Sequence, residues 1–124
     1  MALTTEYANK ILKDIFDYHY LALSITAPNT SGGNVSEPPS GANYYRVSAT
    51  SGNFAAENKA ITNQNYVYFP EATASWGTIQ SLCVFDKYEG GNLIYYGALT
   101  APVAVNENSV PLFRPGTINI SLDA

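Results

Sequence analysis

His19 and Cys83 are the only histidine and the only cysteine in the chain, so nucleophilic or metal chemistry would have to run through them. A catalytic histidine needs a carboxylate to orient it and a nucleophile to serve, and no motif around Tyr18-His19-Tyr20 supplies either. Cys83 lies in the apolar run Leu82-Cys83-Val84-Phe85, where a buried, inert thiol is the expectation and no intramolecular disulfide can form. A zinc site built on one His and one Cys would need two carboxylates, and the spacing of the acids suggests none. Two carboxylate pairs could in principle serve glycoside chemistry. Asp14 and Asp17 belong to the polar face of a helix, and Glu71 and Asp86 flank the region of Trp76. Any ten acids offer such pairs, so hydrolysis is set aside and sugar binding through aromatic rings is kept. Gly32-Gly33 and Gly90-Gly91 are turn glycines and resemble no phosphate loop. No residue is expected to be catalytic, to ligate metal or to bind a cofactor. The candidate interface or ligand contacts are Tyr44, Tyr45, Trp76 and Tyr88. For Trp76 a place in the core is preferred to a ligand platform.

The elements that would position these rings follow from periodicity. Ala8, Ile11, Leu12, Ile15 and Phe16 recur at helical spacing and form one apolar stripe, predicting a helix from Thr5 to Asp17. Thr4 or Thr5 can cap it, Glu6 suits its positive end, and Lys10, Lys13, Asp14 and Asp17 face water. The helix could dock onto another surface or close the sandwich, and the second is preferred because its apolar stripe needs a cover in the free protein. Beyond it the period falls to two: Leu21, Leu23 and Ile25 alternate with Ala22 and Ser24. Residues 28–41 are rich in Pro, Gly and Asn and form a long loop that is functional or mobile. Further strands are predicted at 44–49, 66–69, 78–85, 93–99, 103–105, 110–113 and 118–122, with a short extended piece near Phe54 in a polar stretch from Ser51 to Gln64. Asp86 to Asn92 carries the glycines of a hairpin turn. Pro111 belongs at an edge or bulge. The fold class is mainly all-β: an antiparallel β-sandwich of about seven short strands with one N-terminal α-helix. The 124 residues fit one domain, 1–124, with the helix at 5–17 and the sandwich at 20–123.

Composition narrows the partners. Charged residues make up 13% of the chain against roughly 25% in an average soluble domain. The surface must then be Asn, Ser, Thr, Gly and Tyr, which costs little to desolvate against another protein. Ten tyrosines point the same way, since Tyr joins a large apolar ring to a polar tip. With six Lys and Arg and a net charge of −4, no counterion-release drive toward nucleic acid exists and an anionic membrane would repel the chain. No signal peptide and no membrane-spanning run is evident, so synthesis in a reducing cytoplasm is expected.

From Leu21 onward the sequence resembles a family of small tailed-phage virion proteins usually labelled phage tail fibre protein. The resemblance rests on Leu21-Ala22-Leu23-Ser24-Ile25-Thr26-Ala27-Pro28, on Val35-Ser36-Glu37-Pro38, on Gly41 through Tyr45-Arg46-Val47, and on Asn53-Phe54-Ala55-Ala56. Its most specific block is Phe69-Pro70-Glu71-Ala72-Thr73-Ala74-Ser75-Trp76-Gly77-Thr78. Phe85-Asp86, Gly90-Gly91-Asn92-Leu93 and Gly97-Ala98-Leu99-Thr100 follow, and the end matches at Pro115-Gly116 and 117–123. Tyr44-Tyr45 and Tyr66-Val67-Tyr68 are more aromatic than the family pattern. The resemblance implies a non-enzymatic component of the virion that contacts other virion proteins, with a homo-oligomer, a trimer, expected. It could be a tail-fibre or tail-attached piece, a capsid decoration protein, or a receptor-binding module for a host-surface glycan.

Overall fold

The computed structural model describes residues 4–17, 19–49 and 54–121. Tyr18, the start of the polar stretch at Ser51 and the expected strand end at Leu122 lie outside the described residues. The chain is mainly β with one helix, and all its strand pairs are antiparallel.

Helix α1 spans Thr5–Ile15 and starts at Thr4, whose Oγ1 accepts the Tyr7 N–H at 3.3 Å. It ends two residues before the predicted Asp17 because Phe16 leaves helical geometry (φ −103°, ψ 14°). The imidazole of His19 explains the stop: its Nδ1 lies 2.6 Å from the Ile15 carbonyl oxygen, one of the acceptors a helix leaves open at its C-terminal end. Ala8, Leu12 and Phe16 of the stripe are buried. Phe16 stacks on Phe54 with ring centroids 4.4 Å apart.

Nine strands occur among the described residues: β1 (His19–Ser24), β2 (Val47–Ala49), β3 (Phe54–Glu57), β4 (Ala60–Asn63), β5 (Val67–Tyr68), β6 (Gly77–Phe85), β7 (Leu93–Val105), β8 (Leu112–Phe113) and β9 (Asn119–Ser121). They make a four-stranded sheet in the order β2-β1-β6-β7, a three-stranded sheet β3-β4-β9, and a β5-β8 ribbon. The main core holds Leu21, Leu23 and Val84 of the first sheet with Ile61 and Ile120 of the second, and α1 packs over the β3-β4 hairpin.

Three differences from the sequence expectation have physical causes. The piece near Phe54 is one arm of a hairpin, Phe54 to Asn63, that turns through Asn58 and Lys59, both at positive φ (52° and 63°). The strand expected from Tyr44 begins only at Val47, because a 3-10 turn at Ser40–Ala42 and a left-handed Asn43 (φ 67°) precede it. The strands expected at 93–99 and 103–105 are one strand, β7, carrying a wide bulge. Ser81 pairs with Ala98 and Ile79 with Val103, so residues 99–102 stand against Gln80 alone.

The long loop after β1 is ordered by its own polar side chains. Asn29 Oδ1 accepts from the Ser31 and Gly33 N–H groups and from Ser31 Oγ at 2.6–3.1 Å. Ser36 returns to β1, its N–H donating to Ser24 Oγ at 3.2 Å and its carbonyl accepting from Ile25. The loop thereby covers the outer face of the first sheet, where Val35 packs on Ala22, Cys83 and Phe85. Cys83 is buried there as expected, and burial pushes its thiol pKa up to about 12.

Candidate functional site

The four ring residues divide between core and surface. Trp76 is 1% exposed. Its indole N–H donates to the Ala42 carbonyl at 2.9 Å, and it meets the Tyr44 ring edge to face at 5.2 Å. It closes the end of the sandwich and offers no face to a ligand. Tyr44 is also buried, with its hydroxyl spent on both sides: it accepts the Leu23 N–H at 3.1 Å and donates to Glu37 Oε1 at 2.7 Å. The reason lies in the sheet. β2 pairs with β1 only as far as Leu21, so the Leu23 amide on that side has no strand to meet, and the phenol substitutes for one. Burial and the neighbouring Glu37 carboxylate push the Tyr44 pKa well above 10.0.

Tyr45 and Tyr88 are 45% and 47% exposed. Together with Glu37, Ser40, Arg46 and Glu89 they line an open cleft of about 310 Å³ between the long loop and the β6-β7 hairpin. Tyr88 is steadied by an edge contact with Tyr20 at 5.8 Å.

Arg46 holds the two sides of this cleft together, and sequence reasoning had not singled it out. It is 7% exposed, and a buried cation must be paired. Its Nε and Nη2 donate to Glu37 Oε1 and Oε2 at 2.9 and 3.0 Å, the two-pronged geometry that suits guanidinium and carboxylate. Nη1 donates to the Lys87 and Gly90 carbonyls at 2.7 and 2.8 Å, and the guanidinium lies 3.7 Å over the Phe85 ring. The hairpin tip is braced separately: Asp86 Oδ1 accepts the Asn92 N–H at 2.7 Å, which holds the Asp86 carboxyl below its usual range. Asp86 is thus a turn residue, while Glu71 stands in a different turn, where its carbonyl accepts from Asn43 at 2.9 Å.

A second surface is apolar and uncharged. Tyr66 stacks on Tyr68 at 5.7 Å, Tyr68 stands opposite Leu112 across the β5-β8 pair, and Leu112 and Val103 line one small cavity. With Val110, these side chains are each about half exposed. Together they offer on the order of 400 Å² of apolar surface, the size of patch that marks an interaction site. The segments that build it, residues 60–70, 91–106 and 108–113, contain no charged residue.

Among the described residues no helix is long and apolar enough to cross a membrane. No curated protein matches the chain. One family model matches residues 3–121, and its description is Podophage GP4 fiber I protein gp80.

Proposed function

The chain belongs to the podophage fiber I protein family, and on that premise we propose that it is a non-enzymatic, tail-attached structural component of the virion, held there by contacts with other virion proteins. The match over residues 3–121 carries the virion reading, and it agrees with the tail-fibre resemblance of the sequence. The uncharged face around Tyr66, Tyr68, Val103, Val110 and Leu112 supports attachment by packing. Such a face loses little hydration on docking and gains by burial of its rings. Head decoration is the alternative placement, and copy number separates the two. Quantitative mass spectrometry of purified particles against the major capsid protein should give a low multiple of three or six per particle. A count comparable to the capsid subunits, or a simple fraction of it, overturns tail attachment in favour of decoration.

A receptor-binding reading is favoured by one observation. Tyr45 and Tyr88 present half-exposed rings beside Glu37, a carboxylate that Arg46 and Tyr44 already fix in place. A sugar ring stacks on tyrosine and donates hydroxyls to an oriented carboxylate without a further ordering cost.

A further inference from the structure

The cleft between the long loop and the β6-β7 hairpin has spent nearly all of its cationic donors. Arg46 brings five N–H groups. Four are taken, two by the Glu37 carboxylate and two by the Lys87 and Gly90 carbonyls. What the cleft still offers is acceptors. Glu37 has three of its four lone-pair directions filled, two by Arg46 and one by the Tyr44 hydroxyl, and keeps one open. Glu89 makes no hydrogen bond or ion pair among the described residues and keeps all four.

Charge has the same bias. Glu37 and Glu89 stand against Arg46 alone, which leaves the lining with a net charge of −1, and Lys87 does not line the cleft. The Tyr45 and Tyr88 rings add to it, because an aromatic face carries the negative end of its quadrupole and attracts a cation above it. A sugar acid or a phosphorylated sugar would bring a second negative charge and find at most one N–H of Arg46 to receive it. A neutral sugar would use the rings and leave Glu89 without a counter-charge. An ammonium group carries only donors and a positive charge, which meets both conditions. The volume of about 310 Å³ lies at the lower end of ligand clefts, room for one sugar ring.

On the footing of the receptor-binding reading, we propose that the cleft recognises a hexosamine residue with a free amino group, its ring against Tyr45 and Tyr88 and its ammonium toward Glu89. Both attractions act beside water, so they are modest. An exposed ion pair and an exposed cation–π contact together favour the charged amine over a hydroxyl by about tenfold.

NMR titration of the labelled chain with methyl glycosides tests this, read at the backbone amides of Tyr45, Tyr88, Glu89 and Gly90. At about pH 6, where an amine is charged, methyl glucosaminide should bind about tenfold more tightly than methyl glucoside, and methyl glucuronide should not bind. The preference should vanish at about pH 9, where the amine is neutral. Glu89→Gln, at an exposed position, should bring the glucosaminide down to the level of the glucoside and leave the glucoside unchanged. Equal binding of glucosaminide and glucoside overturns the amine inference and leaves a glycan cleft standing, as does a preference that survives Glu89→Gln. Binding of Nα-acetyllysine amide as tight as that of the glucosaminide overturns the sugar in favour of a basic peptide. If no glycoside moves these amides, the amine inference falls. Host-cell binding by Tyr45→Ala/Tyr88→Ala then decides the parent reading: lost binding keeps the cleft as a receptor site, and unchanged binding removes that too.

Discussion

Removing one oxygen atom, by Tyr44→Phe, tests whether the phenol replaces the missing length of β2. The ring stays, so packing against Trp76 is kept and no cavity opens. Two hydrogen bonds go: the one accepted from Leu23 N–H and the one donated to Glu37. An unsatisfied buried amide costs about 1–3 kcal/mol. Glu37 keeps its two bonds from Arg46 and is partly open to water, so its loss is the smaller of the two. The sum is about 2–3 kcal/mol, a large share of the ~5–15 kcal/mol that holds a domain together, and a fall of about 10 °C in Tm. Urea denaturation followed by circular dichroism should show a lower midpoint with an unchanged slope. The pH dependence supplies a second reading. Tyr44 has its pKa raised in the folded state above 10.0, so its stabilising contribution is complete below pH 10. Above that, the unfolded chain releases the proton and the folded one keeps it. Stability then falls with rising pH at up to about 1.4 kcal/mol per pH unit from this group. The phenylalanine variant lacks that portion of the alkaline slope. A loss below about 0.5 kcal/mol together with an unaltered alkaline limb refutes the role assigned to the hydroxyl.

Three further variants address the cleft and the loop and hairpin that frame it. Gly91→Ala places a methyl group against the Asp86 carboxylate at φ 76°, and strain plus the disturbed turn should cost about 2–3 kcal/mol in chemical denaturation. Gly41→Ala, in open space at ordinary φ, should change stability by less than about 0.5 kcal/mol. The double variant Tyr45→Ala/Tyr88→Ala should keep the wild-type melting temperature within a few degrees. If the cleft takes host glycan, the variant should lower binding of labelled protein to host cells at least tenfold; unchanged binding removes the cleft from receptor recognition.

Much of the fold is legible in the sequence where side-chain periodicity is strong. The stripe from Ala8 to Phe16 and the alternation of Leu21, Leu23 and Ile25 each reflect a single buried face, which period alone reveals. The β3-β4 hairpin is less visible because Asn58-Lys59 lacks the glycine that normally signals positive φ, and Lys59 is held there by its N–H to Asn9 Oδ1 at 3.0 Å, fifty residues away. The continuity of β7 is hidden by Pro102, which reads as a strand break although a bulge at the sheet edge accommodates it. In the cleft, the tyrosines are legible as rings, but which ones face water is a tertiary matter. Trp76 and Tyr44 are interior; Tyr45 and Tyr88 are not. Arg46 leaves a faint signal: it is the only charged residue between Ala42 and Ala49. In a chain so poor in charge, a cation among aromatic and apolar neighbours implies burial and an acidic partner, which Glu37 provides.

The grip of Arg46 on the hairpin bears on how this surface can vary. On the hairpin side it takes hold of main-chain oxygens, those of Lys87 and Gly90. A backbone carbonyl is the same whatever side chain hangs beside it. Substitutions at Lys87, Tyr88 and Glu89 can therefore accumulate without loosening the joint between loop and hairpin, provided Gly90 and Gly91 keep their positive φ. The tip of the hairpin is a place where sequence can drift while shape is conserved.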